Sequence, residues 1–68
     1  MTKQDVDILI GRTIEDARNF CIARAYNVEF YPLGAILTNN LVFKTLKFWH
    51  HDGIIKGWTI GNPWELSQ

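Results

Sequence analysis

Thr13, followed three residues later by Asp16 in Gly11-Arg12-Thr13-Ile14-Glu15-Asp16-Ala17-Arg18-Asn19-Phe20-Cys21, most narrows the folds open to this chain. The pair is a capping-box-like start, in which the threonine hydroxyl accepts from an orphan amide and the Asp16 carboxylate sits at the positive end of the helix dipole. Thr13 is therefore the expected N-cap of the one long helix. Ile14, Ala17, Cys21 and Ala25 recur at helical spacing with Phe20 and Ile22 widening the stripe, and Glu15, Asp16, Arg18 and Asn19 fall mostly opposite. Asn27 tolerates the left-handed conformation that closes helices and marks the expected end.

Asp52-Gly53 is the second firm signal, a two-residue turn of the mirror-image type that joins antiparallel strands. Leu41 to His51 and Ile54 to Ile60 are the expected arms. Val28-Glu29-Phe30-Tyr31 alternates and is rich in β-formers, so it reads as a strand that Pro32 ends or confines to an edge. Asp7 to Ile10 reads as a short strand or extended entry before Gly11 turns the chain, residues 1–6 as a polar lead and residues 62–68 as a tail. The expectation is a single α+β domain over residues 1–68. One helix packs on a small mixed sheet in the order β-α-β-loop-β-β, with a C-terminal hairpin.

Counting outward from the turn pairs His51 with Ile54, His50 with Ile55, Trp49 with Lys56, Phe48 with Gly57, Lys47 with Trp58 and Leu46 with Thr59. Period two then puts Leu46, Phe48, Ile55 and Gly57 on one face, where the missing side chain of Gly57 would let the helix approach. Lys47, Trp49, Lys56 and Trp58 share the other. Such pairs either simply stabilise an exposed sheet face or form an interface with a second copy or another partner, with a ligand pocket between copies, or a platform for stacked bases of a single-stranded nucleic acid.

Seven basic residues balance seven acidic ones, which argues against a dedicated polyanion binder. Three Trp, two Tyr and four Phe are more than a core of this size easily hides, and such aromatics mark contact surfaces. A domain this small rarely holds more than about 3–5 kcal/mol without added burial, and a single cysteine forms no internal disulfide, so a homo-oligomer is expected. No stretch is long and apolar enough to span a bilayer, and the cytoplasm is the default compartment.

Chemistry is sparse. His50 and His51 are strand neighbours on opposite faces, so they do not share an ion, and no metal or cofactor is expected. Ser67 is the sole serine and lies in the tail, no glycine-rich phosphate loop exists, and Cys21 sits on the helix's apolar stripe. No catalytic residue is assigned, and an enzyme is not expected. Pro32 to Asn40 is different: Pro, Gly and paired Asn signal a loop, yet Leu33, Ile36 and Leu37 are too apolar for an idle one, so it either folds back onto the core or presents apolar groups to a partner.

Two motifs resemble the potato inhibitor I family of serine-protease inhibitors. Gly11-Arg12-Thr13-Ile14-Glu15-Asp16-Ala17 is similar to the family's helix opening, and Pro32-Leu33-Gly34-Ala35-Ile36-Leu37-Thr38 to the approach to its reactive loop. The resemblance implies one helix on a small sheet with an extended loop, Asn39 before the scissile bond and Asn40 after it. It implies Leu37, Thr38, Asn39 and Asn40 as the partner-binding loop and a serine protease as the partner. Where the family braces this loop with two arginines the chain has Thr45 and Lys47, which leaves Lys47 as loop support without a planar fork. Three readings follow: a small non-catalytic binding protein acting through the loop 32–41, a homo-oligomeric module using the Trp/Lys face, and a single-stranded nucleic-acid binder.

Overall fold

The computed structural model describes residues 2–36 and 44–61. Its elements are α1 (Lys3–Asp7), α2 (Ile14–Ala23), β1 (Asn27–Pro32), β2 (Thr45–His51) and β3 (Ile54–Ile60). The chain is α+β, with a main helix and a short one packed on a three-stranded mixed sheet.

The first element is a helix where a polar lead and a short strand are expected. Thr2 and Asp5 form a complete capping box, with Thr2 N–H donating to Asp5 Oδ2 at 2.9 Å and Asp5 N–H to Thr2 Oγ1 at 3.4 Å. That box satisfies two amides the first turn would otherwise orphan, and Val6 and Leu9, three apart, turn inward together. The run Ile8-Leu9-Ile10 is too short to outweigh this. Its amides donate back to the Gln4, Val6 and Asp7 carbonyls in successive turns instead of a ladder, and residues 11–14 then meet the start of β3 through Gly11 N–H to Ile55 O at 2.8 Å and Ile55 N–H to Arg12 O at 2.7 Å.

Thr13 caps α2 as expected, accepting from Asp16 N–H at 3.2 Å. Ala17 and Cys21 are fully buried, with Ile14 and Phe20 packed beside them. The helix closes two residues before Asn27. Tyr26 N–H donates to Cys21 O at 2.9 Å and Ala25 N–H to Ile22 O at 3.1 Å, a Schellman motif whose left-handed residue is Ala25 at φ 57°. Ala25 is consequently exposed, outside the core stripe.

β2 is the central strand, parallel to β1 and antiparallel to β3. Val28 stands beside Leu46 and Phe30 beside Phe48, whose rings stack with centroids 5.8 Å apart. Leu46, Phe48 and Ile55 complete the core under the helices. Asp52 and Gly53 both take positive φ, 53° and 76°, as a mirror-image turn requires.

Beyond the turn the register changes. His51 pairs with Ile54 and His50 with Ile55, but Trp49 pairs with Gly57, Phe48 with Trp58, Lys47 with Thr59 and Leu46 with Ile60. Lys56 is an extra residue in a β-bulge, and every residue after it turns to the face opposite the one expected. The bulge brings Trp58 and Ile60 onto the core face and moves Gly57 beneath Trp49. Had Gly57 faced the helices, the core would have lost an indole and gained a gap. In its actual place a Cβ would lie 3.7 Å from Trp49 Cε3, so the glycine leaves room for that ring.

Candidate functional site

The expected interface of Lys47, Trp49, Lys56 and Trp58 does not form as one surface. Trp58 lies on the helix side, where its Nε1 donates to Asp7 Oδ1 at 2.8 Å. Trp49 lies on the other side, Lys56 is the exposed bulge residue, and Lys47 is only 7% exposed. The cross-strand Trp–Lys pairs are therefore absent from the hairpin. Alternation and turn chemistry contain no signal for a single inserted residue, and this is why the counting misses it.

What the sheet does assemble is the start of the segment that joins the parallel strands. Leu33 N–H donates to His50 O at 2.8 Å, holding the chain beside the end of β2. Ala35 N–H then donates to Pro32 O at 3.0 Å across a tight turn in which Gly34 takes φ +93°, a conformation that costs glycine nothing. Trp49 Nε1 donates to Ala35 O at 3.0 Å, so the indole fixes the segment to the sheet face away from the helices. Immediately beyond this anchor Ile36 is 98% exposed, and Leu33 before it is also exposed.

Leu33 and Ile36 stand out in the sequence as apolar residues in a loop. Trp49 as their anchor does not, since it depends on which face of β2 the indole takes. Leu37, Thr38, Asn39 and Asn40 lie outside the described residues, as do Leu41 to Phe43 of the expected long strand and the tail 62–68. Lys47, the expected loop support, occupies the middle of β2 on the same face as Trp49, with Thr45 buried beside it at 3% exposure.

The ionisable groups near these strands divide between the two faces of the sheet. Tyr31 OH donates to Glu29 Oε1 at 2.6 Å, and that bond holds the phenol above its ordinary pKa. Burial pushes the Cys21 thiol up to about 11, away from nucleophilic chemistry at neutral pH. His51 Nε2 lies 3.4 Å from Asp52 Oδ2 at the exposed hairpin tip, while His50 meets the Phe30 ring edge-on on the core side. Among the described residues no three His, Cys, Asp or Glu side chains converge as metal ligands would, and no helix is long and apolar enough to cross a membrane.

No protein-family model matches this chain, and no curated protein matches it in sequence.

Proposed function

We propose that this chain is a small non-catalytic binding protein that occupies a macromolecular partner through residues 32–41, in the manner of the potato inhibitor I family. Its partner class is then a serine protease. The observation that carries the reading is the Trp49 Nε1 to Ala35 O hydrogen bond, which ties the loop's first turn to the sheet directly before the fully exposed Ile36. Anchoring of that kind lowers the entropy lost when a loop is captured. An apolar group held out in water beyond the anchor is a natural contact for a partner.

Topology supports the same reading. β1 and β2 run parallel, so the 12 residues between Pro32 and Thr45 must return the full length of the strands. Parallel neighbours are usually joined through a helix in a connection of this length or more. The resemblance implies an extended loop, and residues 32–41 fall in this connection. The cytoplasm is the proposed compartment, in keeping with a single cysteine held as a buried thiol.

Capture on an immobilised subtilisin-like protease tests the reading. Leu37→Ala, Thr38→Ala and Asn39→Ala are expected to lose retention while keeping wild-type circular dichroism. Retention of all three variants at wild-type strength contradicts it.

A further inference from the structure

Asp52 and Gly53 form the tip of the hairpin, and both are exposed. The chain around them is held closely: Ile14 N–H donates to Gly53 O at 3.1 Å, Thr13 bridges Ile54, and His51 pairs with Ile54 across the turn. One peptide here is not held. Among the described residues neither Asp52 O nor Gly53 N–H takes part in a backbone hydrogen bond. The Asp52 side chain is 87% exposed, and its contact with His51 Nε2 at 3.4 Å is a pair at a wet tip, of the kind that restrains a side chain only weakly.

We propose that Asp52-Gly53 is a site of spontaneous covalent modification, at which the aspartate isomerises to isoaspartate through a cyclic imide and so loosens the junction between the hairpin tip and α2. In the first step Gly53 N attacks Cγ of the protonated Asp52 carboxyl. An N–Cγ bond forms, a Cγ–O bond breaks, and the hydroxyl leaves with the amide proton as water. Water then opens the imide at either carbonyl. Cleavage of the new N–Cγ bond restores aspartate. Cleavage between that nitrogen and the Asp52 backbone carbonyl carbon leaves the chain running through Cβ and Cγ, one methylene longer and with its mass unchanged. No oxidant, reductant or further reactant takes part.

The turn favours the first step. The ring closes when Gly53 N swings to the Cβ side of Asp52, at a ψ of about −120°, which is the value at the first central residue of a type II′ turn. That turn needs positive φ at the same residue, and Asp52 already stands at φ 53°. Rotation of the unheld Asp52–Gly53 peptide alone converts the observed turn into the reactive one. Gly53 then passes from φ 76° to a negative φ, which glycine does without steric cost, and its surroundings are open, since an added Cβ would meet nothing within 4 Å. Gly53 O stays with Ile14 during the rotation, so the strands need not part. Asp7 and Asp16 lie in helices instead, and the amides that follow them are engaged by Gln4 O and Thr13 O.

The product has a structural consequence. Its extra methylene lies between Cα of residue 52 and Gly53, so it moves Gly53 O off Ile14 N–H, one of the first amides of α2, which have no partner within the helix.

Peptide mapping by mass spectrometry, with fragmentation that distinguishes isoaspartate from aspartate, tests the proposal on the whole folded chain kept in neutral buffer. A short peptide spanning residues 50–55 is the reference. The folded chain is expected to accumulate isoaspartate at position 52 no more slowly than the peptide, through a species lighter by one water, with none at Asp7 or Asp16 over the same time. The converted chain, separated from the unconverted one, is expected to unfold at a lower urea midpoint. Conversion slower than in the peptide overturns the proposal, because the fold would then protect the site. An unchanged midpoint overturns it as well, because the tip would then not be coupled to α2.

Discussion

Trp58 Nε1 donates to Asp7 Oδ1 at 2.8 Å, joining the last strand to the end of the first helix across 51 residues of sequence. Trp58 reaches Asp7 only because the bulge at Lys56 turns it toward the helices. The bond closes the domain: it ties the two ends of the described chain together over a core of Val6, Leu9, Phe48 and Ile55. Asp7→Ala is expected to cost about 1 kcal/mol, a figure for a bond at a wet site. Denaturant unfolding measures it, and a double-mutant cycle with Trp58→Phe is expected to show non-additive losses.

Deletion of Lys56 tests the register itself. In the observed ladder Lys56 is the unpaired residue, so its removal leaves Ile55 and Trp58 facing the core and Gly57 under Trp49. Stability is expected to change by no more than about 1 kcal/mol. In a ladder without the bulge the same deletion would turn Trp58 and Ile60 to the opposite face and unfold the domain. Far-UV circular dichroism with urea titration distinguishes the two.

Ala25 sits at φ 57° in the Schellman motif, a conformation that an L side chain resists. Ala25→Gly is therefore expected to raise stability by about 1 kcal/mol, seen as a higher urea midpoint with unchanged slope. A lower midpoint would contradict the assignment of Ala25 as the closing residue.

These cases mark where the sequence is legible and where it is not. The cap at Thr13, the buried stripe of Ala17 and Cys21, the Val28/Phe30 alternation and the Asp52-Gly53 turn are all local, and each depends on chemistry within four residues. The bulge at Lys56 is not local. It arises because a Trp and an Ile in the core are worth more than an unbroken ladder, and that comparison needs the helices in place. The N-terminal helix is a milder case. Thr2 and Asp5 do spell a capping box, but a five-residue helix has little periodicity to support it. For the candidate site, the apolar loop residues Leu33 and Ile36 can be singled out from the sequence, whereas Trp49 as their anchor becomes visible only with the faces of β2 assigned.

Cys21 confers a pH dependence. Its thiol pKa rises from 9.0 to about 11 because burial disfavours the thiolate, so the unfolded chain releases its proton first. Stability from this group is fully present below pH 9 and is lost as pH rises toward about 11. Cys21→Ala is expected to flatten that alkaline decline while lowering stability at pH 7 through the cavity it leaves. Urea midpoints measured from pH 7 to pH 11 check both parts.

The proposed role of the loop anchored by Trp49 is to occupy a protease. Inhibition of a panel of subtilisin- and chymotrypsin-like proteases, followed by mass spectrometry of the recovered chain, tests it most directly. The expected result is tight inhibition of at least one member with slow cleavage confined to the bond after Asn39. Absence of inhibition across the panel, or rapid degradation at many bonds, would contradict it.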